Sequence, residues 1–177
     1  MQFDPSAEAD LAWTLAVVEG RSVDDVVRAY RGESVGAATF VDSAVPEEDF
    51  GEYFHVQVFA RGAHVLAVEN NGWCGSSPTI ACAASIGGRF LSVYWAPENF
   101  SIHQAINGDL TAAFDPVMVG LPAGERDLHP DWITGVDFRA EPIQPLCLAL
   151  VEQQTGLAFD RRWLDVPWPT YRVRDVD

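Results

Sequence analysis

The sequence predicts an α+β fold built as a single domain over residues 1–177. It predicts an antiparallel sheet of about five strands, two hairpins plus a middle strand, with helices at the N-terminus, mid-chain and near the C-terminus. Three observations carry this. Short β-branched and aromatic runs are separated by Gly and Asn-Gly turns between residues 54 and 114. Segments with helical apolar spacing lie on both sides of that stretch. The length suits one ordinary domain with its own core.

At the N-terminus, Asp4-Pro5 reads as an N-cap and first helical residue. A helix is predicted over Ser6 to Glu19, with Leu11, Leu15 and Val18 on one stripe and Gly20 as its stop. A second is predicted over Ser22 to Arg31. Ser22 and Asp25 form a capping-box pattern, and Val23, Val26, Val27 and Tyr30 recur at helical spacing. Glu33 to Glu52 reads as a connector with a short strand at Ala38 to Val41. Its acidic run, Glu47, Glu48, Asp49 and Glu52, reads as a solvated loop.

Phe54 to Ala60 and His64 to Val68 form the first predicted hairpin, turning at Gly62-Ala63. Glu69-Asn70-Asn71-Gly72 ends its second strand in a turn. Ser77-Pro78 opens a short helix over Thr79 to Ile86 that stops at Gly87-Gly88. Phe90 to Trp95 is the middle strand, ended by Pro97. Phe100 to Ile106 and Leu110 to Phe114 flank Asn107-Gly108 in the second hairpin. Two registers compete there. A two-residue turn pairs Ile106 with Asp109. A turn with Gly108 in a bulge pairs Ala105 with Asp109, and it separates apolar from polar better, so it is favoured. It places Phe100, Ile102, Leu110, Ala112 and Phe114 on one face and His103 on the other.

Pro116 to Pro130 lacks periodicity and reads as a long loop, a feature associated with function or mobility. Asp131 to Phe138 reads as a short strand or irregular turn. Pro142 to Gln154 is the last long helix, with Leu146, Cys147, Leu150 and Val151 as its buried stripe and Gly156 as its stop. One helical turn follows over Asp160 to Leu164. The proline-broken tail from Asp165 is expected to be extended.

The net charge is −15, from 26 acidic residues against 11 arginines, with no lysine. This argues against nucleic-acid and anionic-membrane binding, which need basic patches, and is compatible with a basic protein partner. Three cysteines without a framework spacing, an acidic N-terminus without an apolar signal core, and no run long enough to span a membrane place the chain in the cytoplasm.

No catalytic, metal or cofactor motif stands out, and no cofactor is expected. None of His55, His64, His103 and His129 is spaced from another His or Cys as zinc ligands are, although His55 and His64 fall on neighbouring strands. Cys74 precedes a predicted helix, where a thiolate is favoured, but a hydrolase would also need a positioned histidine. The same residue reads more simply as packing beside Trp73, and Cys82 and Cys147 as core. Glu69, at a strand end, with His103 forms a candidate acid–base pair. The candidate binding residues are therefore Glu69, Asn71, Trp73, His103 and Trp168. The two tryptophans are included because turn and proline contexts favour exposure, and exposed Trp anchors interfaces.

Leu66 to Glu69, Asn71-Gly72-Trp73, Gly88-Arg89, Ser92-Val93-Tyr94-Trp95 and the Asn107-Gly108 hairpin together resemble a family of small proteins from high-GC Gram-positive bacteria, known as a domain of unknown function. Its pattern is a strand ending in E-x-N-G-W/F, a helix, a G-R-x-x-S-V-F/Y-W strand and a hairpin. Leu148-Ala149-Leu150 to Thr155-Gly156-Leu157 resembles its final helix and stop. The resemblance covers roughly half the chain and implies structural motifs rather than an activity; Cys74 and His103 lie outside its pattern.

Two functional classes follow. One is a non-catalytic binding protein, an immunity-type or regulatory partner of a basic protein. The alternative is an enzyme or small-ligand binder with a pocket near the Glu69–Trp73 loop and His103. A nucleic-acid mimic ranks last, because the carboxylates are scattered along the chain.

Overall fold

The computed structural model describes residues 12–97, 99–121, 127–139 and 142–174. Its elements are β1 (Trp13–Glu19), α1 (Val23–Ala29), β2 (Glu33–Ala38), β3 (Phe54–Arg61), β4 (His64–Asn70), α2 (Pro78–Ala84), β5 (Arg89–Ala96), β6 (Asn99–Ile106), β7 (Asp109–Phe114), α3 (Ile143–Thr155) and β8 (Trp168–Val173). The strands form one sheet, in the order β2-β8-β3-β4-β1-β5-β6-β7, and every pairing between them is antiparallel. The α+β class holds. Among the described residues the sheet has eight strands rather than about five.

The first added strand is β1, where a helix was expected. Trp13 to Val18 is buried on both faces of the sheet, between β4 and β5. A strand buried on both sides reads as a continuous apolar run, and Leu15 and Val18 then mimic a helical stripe. The predicted Asp4-Pro5 cap and the first half of that helix lie outside the described residues. The second is β2, Glu33–Ala38, which is small and mostly exposed and pairs with β8. The third is the tail. Its prolines permit a strand because the ladder to β3 spans only Thr170 to Val173, beyond Pro169.

The sheet divides two cores. On one face, Leu15, Val17, Leu66, Val68, Leu91, Val93, Ile102 and Phe114 pack against α3 and the segments around Ile133 and Trp163. On the other, Ala16, Val18, Val56, Val58, Ala67 and Phe90 pack under α1 and α2. Ser22 caps α1 in a capping box with Asp25, as its spacing predicted. Gly156, at φ 71°, ends α3 in the left-handed region.

The β6–β7 hairpin turns through the two-residue Asn107-Gly108 loop, with both residues at positive φ (52° and 92°). Ile106 therefore pairs with Asp109 and Ala105 with Leu110, against the favoured register. A bulge at Thr111 then shifts the ladder, so that Gln104 meets Ala112 and Ile102 meets Phe114. Leu110 packs on the α2 face, while Ala112 and Phe114 reach the α3 face. One extra residue reconciles the tight turn with a segregated core.

Candidate functional site

Glu69, the last residue but one of β4, lies on the α2 side of the sheet and is completely buried. Its Oε2 accepts the Cys74 amide at 2.8 Å and its Oε1 the Gly75 amide at 2.7 Å. The Cys74 thiol also hydrogen-bonds this carboxyl. The loop between them is pinned from the neighbouring strands. Thr14 donates its hydroxyl to the Gly72 carbonyl at 2.6 Å, and Ser92 donates to the Gly75 carbonyl at 2.7 Å. Asn71 takes φ 57°, which Asn tolerates, and its amide bonds the Ala12 carbonyl at 2.7 Å. Gly72 and Gly75 are required by proximity. A Cβ on Gly72 would lie 2.6 Å from Glu69 Oε2, and one on Gly75 2.8 Å from both Thr14 Cγ2 and the Tyr30 hydroxyl.

This geometry makes the Glu69 to Gly75 stretch a loop clasp. Desolvation pushes the Glu69 carboxyl up to about 7, against the pull of its amide hydrogen bonds. A carboxyl poised there suits proton transfer. Both of its oxygens, however, are bonded to the loop, and none of its surface is exposed. Cys74 is 2% exposed, in a 3₁₀ turn rather than at a solvent-facing helix start.

His103 lies on the same sheet face but not beside Glu69. Glu69 pairs with Thr14, Thr14 with Tyr94, and Tyr94 with Ser101. Three strand spacings, roughly 14 Å, thus separate the β4 and β6 positions. His103 is half-buried, its Nδ1 has no partner among the described residues, and burial pushes its pKa down to about 4. It lines an open cleft of about 640 Å³ between the start of α2 at Pro78 and the segment after β7. Ser101, Asp115, Asp127 and Leu128 share that cleft. Burial and the charge of Asp127 push the Asp115 carboxyl up. The sequence reading missed both aspartates. The signal was the Asp115-Pro116 step straight after β7, where the Asp115 carboxylate accepts the Val117 amide at 2.8 Å.

The two tryptophans expected to be exposed are half-buried against other rings. Trp73 sits 4.2 Å from the Phe54 ring. Trp168 stacks on Phe59 at 4.3 Å, carries the Arg61 guanidinium at 4.2 Å, and donates its indole N–H to the Trp163 carbonyl. The structure therefore gathers Glu69, Asn71 and Trp73 into one loop, sets His103 in a separate cleft, and puts Trp168 on the opposite face. A further cavity of about 30 Å³ lies near Trp168, below Trp163, lined by Trp13, Phe59 and Leu66. It is water-sized.

His55 and His64 stand at opposite ends of the β3–β4 hairpin, each bonded to a backbone carbonyl, of Ser43 and Thr155, at 3.0 Å. Among the described residues, no group of three His, Cys, Asp or Glu side chains is placed to hold a metal. None of their helices is long and apolar enough to cross a membrane. Comparison with protein-family models, curated proteins and solved structures finds no match.

Proposed function

We propose that this protein is a non-catalytic binding protein, an immunity-type or regulatory partner of a basic protein, working in the cytoplasm. The observation that carries this is the charge of −15 on a chain with 26 acidic residues and no lysine. Glu47, Glu48 and Glu52 are exposed, and such a field attracts basic surfaces while repelling nucleic acid. The burial of Glu69 and Cys74 adds support, because the most reactive candidates in the sequence serve the loop instead. The test is a pulldown from native lysate, washed at low and high salt, with bound proteins identified by mass spectrometry. A stoichiometric basic partner released by salt is expected. Salt-insensitive capture, or an empty lane, argues against it. The cleft at His103 favours a second reading as a small-ligand binder, which a thermal-shift screen of small ligands checks.

A further inference from the structure

We propose that the turn from Pro46 to Tyr53 is the surface on which a basic partner docks, with Phe50 as the anchor that receives an arginine side chain of that partner. This rests on the reading of the protein as a partner of a basic protein.

The first argument is exposure. Phe50 is 43% exposed, and among the described residues every other aromatic side chain is buried or half-buried. Its ring meets Trp73 at 5.9 Å and Phe54 at 6.0 Å, and those two meet each other at 4.2 Å. Phe50 is therefore the outer member of a ring cluster rooted in β3 and in the loop that Glu69 clasps. A large ring left in water on such backing marks an interface anchor. The second is charge. Glu47, Glu48 and Glu52 are exposed, and none belongs to an ion pair among the described residues. They share one double turn with Phe50. The Asp49 amide bonds the Pro46 carbonyl, the Phe50 amide that of Glu47, and the Glu52 amide that of Asp49. The third is the kind of side chain that suits this surface. Arg172 lays its guanidinium 4.6 Å from the centre of the Tyr53 ring and pairs with no carboxylate among the described residues. The turn thus already carries one arginine by ring contact alone. A planar guanidinium stacks on a ring and bonds carboxylates in the same pose, which an ammonium does not. Phe50 with its unpaired glutamates is the complement of a second arginine. The fourth is rigidity. Three side chains of the sheet fasten the segment before the turn: Gln57 donates to the Ala38 carbonyl, Asn70 to that of Phe40 at 2.9 Å, and the His55 Nδ1–H to that of Ser43 at 3.0 Å. The Tyr53 hydroxyl donates to Asp49 at 2.9 Å, and β3 follows at once. A surface held at both ends gives up little freedom on binding.

The probe is the capped peptide acetyl-Arg-Gly-Arg-Gly-Arg-amide, with the same peptide carrying citrulline for arginine as control. Each is titrated into the ¹⁵N-labelled full chain. The expected shifts centre on the amides of Glu48, Phe50, Gly51 and Tyr53 and on the Trp73 indole N–H. The citrulline peptide, and the triple variant Glu47→Gln, Glu48→Gln and Glu52→Gln, should each bind at least about tenfold more weakly. Phe50→Leu keeps an apolar contact for Trp73 and Phe54 but has no ring face, and should bind about threefold more weakly. A second triple variant, Asp24→Asn, Asp109→Asn and Asp131→Asn, removes the same charge from exposed positions elsewhere and should bind nearly as the parent does. If the two triple variants lose binding equally, or the shifts centre away from the turn, the basic-partner reading stands and this docking site is wrong. If the arginine peptide does not bind even at about 20 mM salt, where exposed charges are little screened, both fall.

Discussion

Glu69 shows how one residue serves two masters, a backbone that wants a carboxylate and an interior that resists a charge. Its unfolded carboxyl ionises near 4.5 and its folded one near 7. The folded state therefore holds the proton more tightly. Stability is greatest while Glu69 is protonated and declines as pH rises from 4.5 to 7, the reverse of the usual behaviour of a paired carboxylate. The linked loss amounts to up to about 3 kcal/mol. Urea unfolding at pH 5 and pH 8 should show the parent losing more stability than Glu69→Gln, which cannot ionise. Equal losses in both would mean that the amides and the Cys74 thiol fully offset the desolvation. Gly72→Ala tests the same clasp from its other side. The new methyl would meet a carboxylate fixed by two amides rather than a free side-chain end, so about 2 kcal/mol or more of destabilisation is expected. A melting temperature within a degree of the parent's would show that the loop yields. The motif residues were legible in the sequence, since Asn-Gly at a strand end announces a turn. The burial of Glu69 was not, because the loop that covers it arrives from five residues further on and the pins arrive from β1 and β5.

At the scale of elements, legibility followed local contrast. The β3–β4 hairpin, α2 with its proline start, β5 and α3 with its glycine stop were all visible, since each is bounded by turn chemistry. β1 was not, because a central strand has no polar face to give it a period of two. β2 was not, because Ser34, Gly36 and Ala37 have little apolar surface, and the strand owes its existence to β8, more than a hundred residues later. That dependence is testable. Among the described strands β2 pairs with β8 alone, and β8 also closes the ladder to β3 and stacks Trp168 on Phe59. A chain ending at Pro167 should keep the β1–β4–β5 centre while the amides of Glu33 to Ala38 lose hydrogen-exchange protection. Protection retained in β2 would mean that its pairing with β8 is dispensable. The register of the second hairpin teaches a different lesson. Turn chemistry pointed to the pairing that forms, Ile106 with Asp109; the pairing favoured for core segregation, Ala105 with Asp109, does not occur, and it is the bulge at Thr111 that brings Ala112 and Phe114 to the face of Ile102.

For the molecule as a whole, the charge is a cost to the fold. With 26 carboxylates against 11 arginines, most acidic groups have no cation to pair with, and self-repulsion opposes the compact state. The described ion pairs that include an arginine are few, Arg21 and Arg28 with Asp25 and Arg162 with Asp160 among them; Arg28 and Arg162 are strongly exposed, and their pairs contribute little. A partly buried trio, in which Glu19 takes Arg89 at 2.6 Å and His64 at 3.4 Å, lies at the end of α3. Salt should therefore relieve more repulsion than it weakens attraction. The melting temperature should rise by several degrees between about 10 mM and 500 mM sodium chloride, as the screening length falls well below the spacing of surface charges. A basic partner would supply the same relief by binding, and would do so most strongly at low salt, where the repulsion is greatest. Melting the chain with and without the arginine peptide across that salt range separates the two effects. The stabilisation by peptide should shrink as salt rises, while the free chain gains. A free chain that loses stability with salt would show that its few ion pairs outweigh its excess charge, and would remove the energetic motive for a basic partner.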